Sequence, residues 1–149
     1  MEEKIQTFLD LNVWKKAHQL VLNIYKITID FPSSEHSLSD QLKRTSSAVA
    51  SAICEGFQKR NKQDKVRLYN DAQSALNDVY YLLLLTRDLK YYDTTVLMEN
   101  AHEIKKMISG LVRSVMGLAK SVGFKPADHA DGQHFTPSLT QEIDETELL

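Results

Sequence analysis

Eight apolar residues, Leu97, Ala101, Ile104, Ile108, Leu111, Val115, Leu118 and Val122, follow one another at spacings of four and three without a break. That rhythm lines one face of a helix and does not suit a strand, whose side chains alternate between two faces. A single apolar stripe must be buried against other elements, and three further segments carry matching patterns. Val13, Ala17, Leu20, Ile24, Ile27 and Phe31 form a second stripe, widened by Trp14, Val21 and Tyr25. The chain is therefore expected to be all-α: an antiparallel up-down-up-down bundle of four helices joined by short turns.

The expected boundaries follow from local chemistry. Helix 1 is read from Leu11 to Phe31, capped by Asp10 or Asn12, and stopped by Pro32. Helix 2 opens at Ser37, with Asp40 three residues on as in a capping box, and reaches Gln58. Helix 3 runs from a cap at Asp64 to Leu89. Helix 4 runs from Thr94 to Val122, with Gly123 as its stop. The stretch 41–56 organises the rest. A basic pair opens it, small residues fill its middle, and Glu55-Gly56 closes it. Small residues let neighbouring backbones approach, and a glycine that costs about 1 kcal/mol inside a helix implies a close contact or a helix end. Helix 3 carries two apolar seams, Leu68, Ala72, Ala75, Val79, Leu82 and Leu89 beside Tyr69, Leu76, Tyr80 and Leu83. A helix in a small monomeric bundle buries one face, so the second seam points to a partner subunit.

Charge divides the chain in two. Residues 1–123 carry 17 Lys+Arg against 14 Asp+Glu, whereas residues 124–149 carry one Lys and six acids. This predicts a mildly basic bundle domain, 1–123, and a flexible acidic tail, 124–149. In the tail Leu139, Ile143 and Thr146 recur at helical spacing, the pattern of a short acidic helix that forms on docking. The longest apolar block, Val79 to Leu85, falls far short of the ~18 to 20 residues of a membrane span. The N-terminal residues lack the basic start and apolar core of a signal peptide, and Cys54 is the only cysteine. A cytoplasmic protein without disulfides is expected.

Several motifs, in fixed order, carry a resemblance. They are Val13-Trp14-Lys-Lys-Ala17, Phe31-Pro32-x-x-Glu35, Leu38-x-x-Gln41-Leu-Lys-Arg44, Ile53-Cys-Glu-Gly56-Phe57, Ala72-x-x-x-Leu76, Tyr81-x-Leu83 and Asp88-Leu89-x-Tyr91. Over roughly residues 5–118 the chain resembles the bacterial four helix bundle protein family, first noticed as reading frames within intervening sequences of 23S rRNA genes and often labelled ribosomal-protein-like. The resemblance implies a ring-shaped homopentamer. It also implies kinship with the accessory protein of diversity-generating retroelements, a basic pentamer that works with a reverse transcriptase and nucleic acid. No catalytic activity comes with it. The chain departs from the family pattern at Ala52-Ile-Cys-Glu-Gly56 for Asn-Ile-Ala-Glu-Gly, at Ser74-Ala-Leu-Asn-Asp78 for Gly-Ser-Leu-x-Glu, and at Leu89-Lys-Tyr91 for Leu-Gly-Tyr.

Lys43, Arg44, Lys59, Arg60, Lys62, Lys65 and Arg67 face only Glu55 and Asp64 across residues 43–67. The stretch Lys59 to Arg67 surrounds one turn at one end of the bundle, where repetition around a ring gives a phosphate-binding patch; the alternative is a solvated charged turn. Arg44 and Glu55 share a face of helix 2 but lie ~16 Å apart. Each is therefore free to pair with another helix or subunit, for example Arg44 with Asp78, and such a contact fixes register. Glu99-Asn-Ala-His102 matches half of a di-iron motif but points away from the seam, so no metal is expected. Cys54 has no base linked to it by spacing and reads as a packing residue. His129 and His134 show no ligand spacing, and no phosphate loop is legible. The expected function is a non-enzymatic, cofactor-free oligomer acting as an RNA-associated accessory or scaffold protein. The alternative is a protein-interaction platform whose acidic tail docks a partner.

Overall fold

The computed structural model describes residues 4–117, and within them the chain is all-helical. A short 3-10 turn, Phe8–Asp10, precedes α1 (Asn12–Thr28), α2 (His36–Gln58), α3 (Lys62–Asp88) and α4 (Thr95–Val115). Each helix packs on its chain neighbours, α1 closes against α4, and the α2–α3 interface is the most extensive. Contacts such as Gln73 to Ser109, Asn77 to Lys105 and Thr94 to Leu83 run in opposite directions along α3 and α4, as an antiparallel pair requires. No strand occurs among the described residues, and the arrangement is a four-helix bundle. The expected tail, residues 124–149, its docking helix and the domain boundary at 123 all lie outside the described residues.

The seams read from the sequence form the core. Val13, Ala17, Leu20, Ile24 and Ile27 of α1 are buried, as are Leu97, Ala101, Ile104 and Ile108 of α4. One alanine each from α1, α3 and α4 (Ala17, Ala72, Ala101) is at most 1% exposed, so the helices meet closely where their side chains are small. Tyr25 departs from expectation: it is 47% exposed rather than part of the buried stripe. Both seams of α3 are buried within the protomer, apart from half-buried Ala75 and exposed Leu89. Because α3 lies between α2 and α4, it has two neighbours and needs two apolar faces. The double seam therefore has an explanation inside one subunit. Between α3 and α4 a polar layer is satisfied internally. The Gln73 amide donates to the Lys105 carbonyl and the Ser109 hydroxyl, and the buried Lys105 ammonium donates to Asn77 Oδ1 at 3.0 Å.

The helix ends correct several expectations. α1 stops at Thr28 rather than Phe31, because Ile29, Asp30 and Phe31 bond three residues back and tighten into a 3-10-type turn. Its N-cap is Leu11, while the Asp10 carboxylate accepts from the N–H groups of Gln6 and Thr7 in the preceding turn. Those two bonds hold the Asp10 carboxyl below the usual carboxylate range. α2 begins at His36, one residue before expected, so Ser37 lies inside the first turn and no capping box forms there. α3 is capped by Asn61, whose Oδ1 accepts from the N–H of Asp64; Asp64 is thus the capped residue and not the cap. α4 ends at Val115, where Gly117 at φ +84° takes the left-handed conformation that closes a helix. The expected continuation from Leu118 to Val122, with its stop at Gly123, lies outside the described residues.

Two of the motifs meet at the opposite end of the bundle. The Phe31 and Tyr91 rings lie 6.0 Å apart, and the Tyr91 hydroxyl donates to Glu35 Oε2 at 2.7 Å. The α3 terminus between them is a Schellman turn. Lys90 sits at φ 65°, its N–H bonds to the Arg87 carbonyl, and the Tyr91 N–H reaches back to the Thr86 carbonyl. This is the position where the family pattern has glycine. A side chain in the left-handed region costs about 1 kcal/mol, so Lys90→Gly is expected to stabilise the protein by about that amount. A thermal melt that moves upward by a few degrees checks it.

The Tyr91–Glu35 bond also has a pH signature. Donation to Glu35, followed by burial, raises the Tyr91 pKa above its ordinary value of 10.0. A raised folded-state pKa means the contribution is complete below pH ~10 and is lost as pH climbs through the raised value. Melting temperatures of the wild type and Tyr91→Phe should differ at pH ~8 and converge as pH rises past the raised Tyr91 value.

Candidate nucleic-acid interface

The turn between α2 and α3 is built from a helix C-terminus, three residues and a helix N-terminus. Lys59 is the C-cap of α2 in extended conformation, Arg60 follows, Asn61 caps α3, and Lys62 is the first residue of α3. Lys59, Arg60 and Lys62 are exposed, and none makes an ion pair among the described residues. The positive end of the α3 dipole lies in the same place, which favours an anion there.

The other four expected cations are spent differently or sit elsewhere. Lys65 points back across the turn and donates to the carbonyls of Gly56 at 3.2 Å and Phe57 at 2.7 Å, with its ammonium 5.4 Å from the Phe57 ring centroid. It satisfies the orphan carbonyls at the end of α2, and burial at this joint lowers its pKa below that of an ordinary lysine. Arg67 is exposed and shared between Asp64 at 3.8 Å and Asp71 at 4.0 Å. Lys43 and Arg44 lie in the N-terminal half of α2, ~24 Å from Lys59 along the helix, and Lys43 rests over the Tyr25 ring at 5.1 Å. Beside the turn runs a shallow groove of about 520 Å³ lined by Lys62, Gln63, Val66, Arg67, Asn70, Asp71 and Met116.

Arg44, Glu55 and Asp78 are all exposed, and no ion pair among the described residues joins them. The glycine beside Glu55 has a definite structural task. A Cβ at Gly56 would lie 2.5 Å from Tyr69 Cε1, 2.8 Å from Cδ1 and 3.3 Å from Leu68 Cβ. The Tyr69 ring packs against α2 at that point, and burial pushes its pKa up to about 12. Glu99 is exposed, and no group of three or more His, Cys, Asp or Glu among the described residues is placed to hold a metal. No described helix is long and apolar enough to cross a membrane.

Sequence reasoning missed a row of rings along α1. Phe8 meets Trp14 edge-on at 5.0 Å, and Trp14 stacks on His18 at 4.9 Å with planes 8° apart. The spacing of four between Trp14 and His18 was the available signal, since residues four apart are neighbours on a helix surface.

Comparison with solved structures finds a protein of unknown function from the S23 ribosomal protein family of Bacteroides thetaiotaomicron. The likeness covers 68% of this chain and 98% of that one, at 21% identity and a TM-score of 0.62. At that identity it shows the fold. Comparison with curated proteins returns no match. The family model described as 23S rRNA-intervening sequence protein matches residues 9–110, most of the described bundle, and the chain belongs to that family.

Proposed function

We propose that the protein is a non-enzymatic helical scaffold that contacts RNA through the turn between α2 and α3, assembled as a homopentameric ring. The observation that carries the reading is the cluster of Lys59, Arg60 and Lys62, exposed and without ion-pair partners among the described residues, at the N-terminus of α3. Phosphate contacts need cations free of competing carboxylates, and each one made adds about 0.7 to 0.9 to the salt slope of binding. A ring would repeat the cluster on every subunit and raise its local potential. The resemblance supports the pentamer.

The test is the triple variant K59A/R60A/K62A against a labelled RNA. Affinity at ~0.1 M salt should fall roughly ten- to a hundredfold, with the salt slope reduced by about 2 to 3. Circular dichroism should not change, because none of the three side chains supports the bundle. Unchanged affinity and slope would show that this turn is only a solvated connection.

A further inference from the structure

The outer face of α1 holds chemistry that the basic turn does not use. Half-buried Trp14 and exposed His18 form a stacked pair, extended at one end by half-buried Phe8. Further along the same side come half-buried Val21, exposed Leu22 and exposed Tyr25, with the Lys43 ammonium over the Tyr25 ring. Between Asn12 and Thr28 there are three lysines, Lys15, Lys16 and Lys26, and no acid. Lys16 lies towards α4, paired with Glu103, whereas Lys15 and Lys26 are exposed. At the N-terminal end the Asp10 carboxylate already accepts two backbone N–H groups.

We propose that this face of α1 is a stacking platform for single-stranded nucleic acid, separate from the turn between α2 and α3. Open strands are held by aromatic rings on which bases stack, flanked by cations that follow the phosphates. Both components are present here. The eleven helical steps from Trp14 to Tyr25 span ~16 Å, the length of four or five nucleotides at ~3.4 Å each. A duplex keeps its bases stacked on one another and offers the rings nothing. The absence of acids on α1 leaves exposed Lys15 and Lys26 uncompensated on their own helix, the charge that a phosphate backbone complements.

The chain has a single tryptophan, and it lies in the platform. Titrating the full chain with oligouridylate of roughly ten nucleotides should quench Trp14 fluorescence to saturation, while an RNA duplex of equal length should not. His18→Ala and Tyr25→Ala should each weaken single-strand binding at least ~5-fold, the lower end of the loss per stacked base. In K59A/R60A/K62A the quench at saturation should persist, so the platform and the basic turn fail separately. Absence of a quench, an equal quench by duplex, or unchanged affinity in both alanine variants would overturn the proposal. So would a fall in oligomeric mass on sedimentation of Tyr25→Ala, which would assign the face to contacts between copies.

Discussion

Gly56→Val is expected to destabilise the protein by about 1 to 3 kcal/mol, although valine has a better helix propensity than glycine. The cause is the distance from the would-be Cβ to the Tyr69 ring, 2.5 Å to Cε1 and 2.8 Å to Cδ1, with the Leu68 Cβ at 3.3 Å. Tyr69 is 1% exposed, so its ring has no open volume to swing into and α2 must move away from α3 instead. Gly110→Ala separates this contact from any general effect of glycine. A Cβ there meets only the end of the Arg113 side chain at 3.9 Å, so that substitution should stabilise α4 by about 0.5 to 1 kcal/mol. Chemical denaturation of both variants reads the difference. Equal stability of Gly56→Val and wild type would mean the helices do not approach as described. Combining Gly56→Ala with Tyr69→Ala should cost less than the two single changes added, because the second opens the space that the first fills.

Ile53→Ala is the second large effect. Ile53 is fully buried near the C-terminal end of α2, the helix that forms the most extensive interface in the bundle. Removing a buried isoleucine side chain loses its transfer free energy and leaves a cavity that close-packed helices only partly refill, together about 2 to 5 kcal/mol. Against a total stability of roughly 5 to 15 kcal/mol that is a large fraction. The urea midpoint should fall with little change in slope. A shift below about 1 kcal/mol would mean that this part of the interface is loosely packed.

The stripes of α1 and α4 were legible because burial of one helix face imposes a period on the sequence: Val13 to Ile27 and Leu97 to Ile108 of the named residues are buried, Phe31, Leu111 and Val115 at the stripe ends are half-buried, and Leu118 and Val122 lie outside the described residues. Helix ends were less legible because they depend on single hydrogen bonds that several nearby residues can make. Asn61, Asp64 and Ser37 all have capping chemistry, and only the folded chain distinguishes Asn61, which caps, from Ser37, which accepts from Gln41 instead. The Schellman turn at Lys90 was hidden because the residue that marks such a turn, glycine, is replaced by lysine. The double seam of α3 was visible, but its meaning depended on how many neighbours the helix has, which is a property of the bundle. The candidate site was legible as a count of charges and not as a set of available ones. Lys65 is drawn to the Gly56 and Phe57 carbonyls across a helix–turn junction, and Lys43 to the Tyr25 ring on another helix. Neither contact follows a helical repeat, so no spacing rule announces it.

The most direct test of the RNA reading is the nucleic acid recovered with the natively purified full chain, followed by sequencing and by elution across a salt gradient. Enriched RNA should be recovered and should leave the protein progressively as salt rises, since the contacts at Lys59, Arg60 and Lys62 release counterions. A protein recovered free of nucleic acid, with no RNA binding at low salt, would contradict it and turn the search towards a protein partner.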